Sequence, residues 1–181
     1  MKCFYLTLLL LYGFVLSPFT LGSQEISTSN ANSQQDDKIV QWALTHLPQT
    51  GVLTEGKNGF VYLKVSDDYI NQLFPQLSYE GYEKPPFFRR PDSPGAHISV
   101  IYVEERNKVG KIDEIGQTFP FKVINIALVP PKSKKYVVLV VDSPELQALR
   151  KKYGLSPLLK NHPFHISIAE KNRRSSRHKY H

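Results

Sequence analysis

An α+β fold of two pseudo-twofold-related lobes around a central cleft is what this sequence predicts, and three observations carry the expectation. A strand–helix–loop–strand pattern occurs twice along the chain. Each occurrence ends on the same tetrapeptide form, His97-Ile98-Ser99-Val100 and His165-Ile166-Ser167-Ile168. Aliphatic runs and an aromatic content of 12% supply material for a core, which sets the chain apart from disordered sequences.

The two occurrences can be laid residue on residue. Val61-Tyr62-Leu63-Lys64-Val65-Ser66-Asp67, a helix, a loop and His97-Ile98-Ser99 parallel Val137-Val138-Leu139-Val140-Val141-Asp142-Ser143, a helix, a shorter loop and His165-Ile166-Ser167. Leu63 matches Leu139, Ile70 matches Leu146 and Leu73 matches Leu149, all at one offset. A unit used twice favours two similar lobes with antiparallel sheets. Their axis would carry one histidine strand to each wall of the cleft.

The remaining elements follow in chain order. Residues 1–23 read as a cleavable secretory leader, with Lys2 as its positive start and an apolar run over 4–16 interrupted only by Thr7 and Gly13. Ser17, Pro18 and the small residues of 20–23 precede the cleavage point. The run is short for a bilayer span, and no other segment is apolar enough to be one. The expectation is a periplasmic or extracellular protein with no stable membrane span. Residues 24–37 are polar and of low complexity, a flexible linker. The two-lobed domain then occupies 38–170 and a basic tail 171–181.

Within that domain Asp36 or Asp37 caps a helix whose Ile39, Val40, Ala43, Leu44 and Leu47 share one face, with Trp42 at its edge. Pro48, Gly51 and Gly56 mark a loop. Residues 60–65 read as a strand, and Ser66 or Asp67 caps a helix presenting Ile70, Leu73, Phe74 and Leu77. A long loop over 78–96, broken by prolines and glycines, leads to the first histidine strand, 97–103. Residues 104–118 are charged and turn-like. Two β-rich runs, 119–129 and 136–141, flank a hairpin loop at 130–134. Asp142 or Ser143 caps the next helix, with Pro144 in its first turn, Leu146, Leu149 and Tyr153 on its buried face and Gly154 as its stop. The second histidine strand runs over 164–169.

Composition narrows the chemistry. A formal charge of +7 favours anionic partners without choosing among them. The only cysteine, Cys3, lies in the leader. The mature chain therefore has no disulfide, no thiol nucleophile and no thiolate metal site.

The tetrapeptides carry the functional signal. Alternate side chains of a strand share a face, so His97 and Ser99 point one way while Ile98 and Val100 enter the core. The same holds for His165 and Ser167 against Ile166 and Ile168. A single such motif is worthless as a signal, but a matched pair among six histidines arises by chance with a probability of roughly 0.006. Two imidazoles and two hydroxyls on one surface suit a phosphoryl group without a metal. With a pKa of about 6.5, one histidine can be neutral and the other cationic at working pH. Serine hydroxyls can donate to the oxygens on which negative charge accumulates. Which histidine is the base stays open at this point.

At these residues the chain resembles the 2H phosphoesterase superfamily, the LigT-like cyclic phosphodiesterases, and within it the secreted branch named Swiss Army Knife. The family signature is a pair of H-x-[S/T] motifs with apolar neighbours, one in each of two duplicated lobes. The likeness covers roughly residues 60 to 170. It implies His97 and His165 as the catalytic acid–base pair and Ser99 and Ser167 as phosphate-binding residues, with no cofactor. The implied substrates are 2′,3′-cyclic phosphates at RNA ends, or other small cyclic or 2′-linked phosphodiesters, handled by a monomer.

Other residues carry weaker signals. Phe88, Arg89 and Arg90 lie just before His97 and read either as a flap stacking a base and contacting phosphate or as a plain surface loop. Tyr102 and Phe164 fall at odd spacings from the histidines, which points to core or back-face packing. Lys132, Lys134 and Lys135 could steer an anion but fit a solvated charge run. His162 and His165 form an H-x-x-H, though Pro163 breaks the helix that would align them on a metal. His178 and His181 belong to the basic tail. The competing readings are a secreted nucleotide- or RNA-binding module of the same fold that cleaves nothing, and a basic effector acting on another protein or surface.

Overall fold

The computed structural model describes residues 30–172 except 78, 80 and 130–133. The segment expected as a leader, the tip of the last hairpin and most of the basic tail, with His178 and His181, lie outside the described residues.

Helix α1 (Asn30–His46) runs into strands β1 (Thr50–Glu55) and β2 (Val61–Lys64), then the single-turn helix α2 (Asp68–Asn71) and a 3-10 turn (Phe74–Gln76). After the long loop come β3 (His97–Ile101), the one-turn α3 (Val103–Arg106), β4 (Thr118–Pro120), β5 (Lys122–Val129), β6 (Lys134–Asp142), α4 (Pro144–Lys152) and β7 (His165–Asn172).

All seven strands lie in one sheet, ordered β4-β1-β2-β3-β7-β6-β5, with every pairing antiparallel. The sheet is curled into a half-barrel. Separate sheets would have left β3 and β7 as edge strands with unpaired backbone groups, and pairing them removes both edges. Outward from that seam, the order is β3-β2-β1 on one side, with β4 added at its edge, and β7-β6-β5 on the other. Each side carries a register shift at the matching position, Val61/Tyr62 in β2 and Val137/Val138 in β6.

Burial along the histidine strands follows the expected alternation. Ile98, Val100, Ile166 and Ile168 are fully buried, while His97, Ser99, His165 and Ser167 are half-buried on the opposite face. Helices cover the first face: α2 packs on β7 and α4 on β3, and α1 lays Ile39, Val40, Ala43 and Leu47 against it by way of β5. The other face is left for the site.

Several elements differ from the sequence reading. Helix α1 already includes Asn30–Asp37, expected as flexible linker. Those residues have no apolar periodicity to announce a helix, and polar tertiary contacts hold them instead. Tyr79 Oη reaches both Asp36 carboxylate oxygens at 3.0 Å, and Gln35 Nε2 donates to the Gln76 carbonyl at 3.2 Å.

Strand β1 occupies what read as a loop. Its Gly51 packs so closely on β2 that a Cβ there would lie 2.6 Å from the Lys64 carbonyl oxygen and 2.8 Å from Leu63 Cγ. Gly51→Ala is therefore expected to destabilise the protein by about 1–3 kcal/mol, read as a lower urea midpoint.

Helix α2 is one turn where a longer helix was expected, because Pro75 lacks the N–H the next turn needs. Asp67 caps nothing; its carboxylate accepts from the Ala96 N–H at 2.9 Å and pairs with Lys64. Ser66 Oγ accepts from the Asp68 N–H at 3.3 Å.

The second unit follows its sequence closely. Ser143 caps α4, accepting from the Leu146 N–H at 3.3 Å, Pro144 opens the helix, and Gly154 at φ +73° ends it. The residue the pattern did not announce is Arg150, on the buried face of α4 and fully buried.

Candidate active site

The seam between β3 and β7 builds the site. Ile98 pairs with Ile166, the middle residue of each motif facing the other. In an antiparallel pair this sets His97 across from Ser167 and Ser99 across from His165. All four side chains line one cavity of about 560 Å3.

Each imidazole is held in the same way. His97 Nδ1 lies 2.7 Å from the Gly95 carbonyl oxygen and His165 Nδ1 lies 3.0 Å from that of Pro163. A carbonyl only accepts, so Nδ1 carries the proton in both rings and Nε2 is the atom left for chemistry. The Gly95 carbonyl is itself positioned by the Lys64–Asp67 pair, since Asp67 holds the adjacent Ala96 N–H.

The two histidines differ in their surroundings. His97 is ringed by Phe87 at 4.9 Å, Tyr62 at 5.6 Å and Phe60 at 5.7 Å, all edge-on. Burial among these rings pushes its pKa below the ordinary 6.5. The Gly95 hydrogen bond opposes that shift, and the nearby charges of Lys64 and His165 reinforce it. His97 is therefore kept neutral over a wider pH range than an ordinary histidine.

The remaining wall is apolar. Ala127 and Val129 from β5 and Tyr136, Val138 and Val140 from β6 line it together with Tyr102, His162 and Pro163, and β6 sets Val140 beside His165 and Val138 beside Ser167. Among the described residues no lysine, arginine, aspartate or glutamate lines it, so the net +7 of the chain lies elsewhere.

Several expectations need correction. Phe88, Arg89 and Arg90 are exposed and outside the cavity lining, which takes Phe87 instead. A bond from the Gly95 N–H to the Phe87 carbonyl, 3.1 Å, closes this part of the loop, turning Phe87 inward over His97 and leaving the following residues at the outer tip. The loop is further tied at Glu83, which forms a two-way backbone bridge with Glu170 of β7.

Tyr102 lines the cavity, against the expectation of core or back-face packing. Strand β3 stops at Ile101, and Tyr102 begins the turn of α3, so strand parity no longer applies to it. Phe164 is buried in the core. Lys135 is exposed, and Lys132 lies outside the described residues. His162 shares the cavity with His165, but among the described residues no three histidine, cysteine, aspartate or glutamate side chains are grouped to hold a metal ion.

The aromatic ring around His97 was visible in part. Tyr62 and Lys64 alternate with buried Val61 and Leu63, so their shared face could be read from the strand pattern. Phe87 and the β5–β6 wall depend on long-range packing and leave no such mark.

A model of the Swiss Army Knife 2H phosphoesterase domain matches residues 61–176. Comparisons with curated proteins and with solved structures find no match. The matched span takes in most of the chain, both histidine strands and the walls of the cavity, and the chain belongs to the Swiss Army Knife family of 2H phosphoesterases.

Proposed function

We propose that the protein is a metal-independent phosphodiesterase acting on 2′,3′-type cyclic phosphates, or on 2′-linked phosphodiesters, of nucleotides and RNA ends. The observation that supports this most is the Ile98↔Ile166 pairing, which brings two histidines and two serines into one cavity with both Nε2 atoms free. The apolar and aromatic wall fits a nucleobase.

In this reading His97, the ring kept neutral, is the general base. Its Nε2 takes a proton from water as the water oxygen bonds to phosphorus. His165 is the general acid, and its Nε2 proton goes to the sugar oxygen as the P–O bond breaks. The product is a phosphomonoester, and exchange of one proton with solvent at each ring restores the pair. Ser99 and Ser167 donate hydrogen bonds to the non-bridging oxygens, where charge builds up in the transition state. Ser99→Ala and Ser167→Ala are each expected to lower kcat/KM by about 10- to 100-fold, less than loss of either histidine, in steady-state assays.

The same reading takes the two strand–helix–strand units as copies of one ancestral unit, supported by the mirrored strand order and matching register shifts. It also places the activity outside the cytoplasm, on the strength of the leader pattern in residues 1–23.

The test is a panel of 2′,3′-cyclic nucleotides and 2′,5′-linked dinucleotides incubated with mature protein in EDTA. Phosphomonoester product with a bell-shaped pH profile is expected. Activity abolished by the chelator, or binding with no product, would sink the reading, the latter in favour of a non-catalytic nucleotide-binding module.

A further inference from the structure

His162 is the third imidazole in the cavity, and neither proton transfer above uses it. It ends a tight turn in which Lys160 and Asn161 both have positive φ, 51° and 62°, and the His162 N–H donates to the Leu159 carbonyl at 3.0 Å. Such a left-handed pair makes a compact two-residue connection. Lys160 fixes this turn to the other half of the molecule: its Nζ donates to Glu104 at 2.6 Å and sits 4.6 Å over the Tyr102 ring.

A smaller cavity of about 40 Å3 adjoins the main one and is lined by Ser99, His162 and His165 together. His162 thus borders both cavities, and in the smaller one it lies together with Ser99 and His165. His97 and His165 spend Nδ1 on backbone carbonyls, whereas no hydrogen bond within the described residues engages the His162 ring.

Charge balance gives this ring a task. A phosphodiester is an anion, and desolvating an anion without a counter-charge is costly. Among the described residues the main cavity offers no lysine or arginine, and Lys160, which borders the smaller one, is engaged by Glu104. The proposed mechanism supplies one imidazolium charge, on His165 before the step and on His97 after it, whereas the pentavalent phosphoryl group and the phosphomonoester product carry up to two negative charges. We propose that His162, protonated, is a phosphate-binding residue that holds the anionic phosphoryl group of substrate and product beside Ser99. This rests on the phosphodiesterase reading of the same cavity.

The titratable and charged groups that line the two cavities with His162 are His165, His97, Tyr102, Tyr136 and the Glu104-bound Lys160, and Lys64, paired with Asp67, acts on His97 from beyond that lining. Of these types only imidazoles change charge between about pH 5 and 8.

Inorganic phosphate is the probe, titrated by calorimetry into mature wild-type protein, His162→Ala and His162→Lys at pH 6 and pH 8.5. Kinetics on a 2′,3′-cyclic nucleotide run in parallel. His162→Ala is expected to weaken phosphate binding about tenfold at pH 6 and less than about twofold at pH 8.5, with the kinetic loss falling on KM rather than kcat. His162→Lys, carrying a fixed charge, is expected to bind phosphate more tightly than wild type at pH 8.5. Equal phosphate affinity of wild type and His162→Ala at pH 6, or equal losses at both pH values, overturns the proposal. No turnover on any substrate, with phosphate affinity still dependent on His162, retires the phosphodiesterase reading and keeps the anion site. Normal turnover with phosphate affinity indifferent to His162 does the reverse.

Discussion

Alanine at either His97 or His165 is expected to cut turnover of a 2′,3′-cyclic nucleotide by about 10²- to 10⁴-fold, with the far-ultraviolet circular dichroism spectrum retained. Both rings stand on the cavity face of the sheet, opposite the packed Ile98 and Ile166, so removing either opens the cavity rather than the core. The double variant is expected to lose little more than the worse single one, because the two groups act on one transition state. Turnover within about tenfold of wild type in either single variant would exclude that histidine from the chemistry.

The two variants also separate by pH. His97 has its pKa pushed below 6.5 by burial among Phe60, Tyr62 and Phe87. As the proposed base it must be neutral, so the acid limb of kcat/KM is expected to fall below pH 6.5. The same shift acts on stability. Between the folded value and 6.5 the unfolded chain binds the proton that the folded chain does not. Stability is therefore lost as pH falls from 6.5 toward the folded value, and below that value the loss is complete. His97→Gln is expected to abolish this part of the pH dependence in urea titrations, while His165→Gln leaves most of it in place, since burial is the largest cause.

Arg150→Ala is expected to produce the largest loss of stability of any variant considered, about 3–5 kcal/mol and roughly 10 °C in Tm. The Arg150 side chain is fully buried and its guanidinium is shared among several acceptors. It reaches both oxygens of Glu105, at 2.8 and 3.1 Å, the Ser156 carbonyl at 2.6 Å and the Val100 carbonyl. These contacts join α4, α3 and β3 next to Ser99. Alanine would leave a carboxylate without its partner and carbonyls without donors. Lysine does not repair this, since a point charge cannot reproduce the guanidinium fork. A loss below about 1 kcal/mol in both variants would show that the clamp is dispensable.

Glu105 gives the clamp a pH signature. The hydrogen bonds from Arg150 hold its carboxyl below the ordinary carboxylate value. A depressed folded pKa means the stabilisation is fully present above the unfolded value and is lost as pH falls through the folded one. Acid unfolding of Arg150→Ala is expected to lack that component.

The buried arginine also marks where local reading stops. On α4 the spacing of Leu146 and Leu149 announces a core-facing stripe, and Arg150 beside them reads as one more member of a basic run with Lys151 and Lys152. Nothing near it in the chain says that Glu105 and the Val100 carbonyl wait on the other side. Helix α1 has the same lesson in its first turns, held by Tyr79 and Gln76 from far along the chain. Strand β1 was hidden for another reason: its Gly51 reads as a turn residue, yet it is needed for a close approach to Lys64.

What the amino-acid order settled alone was the pairing of histidine with serine on one strand face, twice, and the cap and stop of α4. These depend on periods of two and of 3.6 residues, which neighbours along the chain impose on one another. Only tertiary structure decided that the two strands join at Ile98 and Ile166, that Phe87 rather than Phe88 faces His97, and that Tyr102 and His162 enter the cavity. Those outcomes depend on which sheet edges meet and how loops close between them, and residues far apart in sequence carry no record of that until the chain has folded.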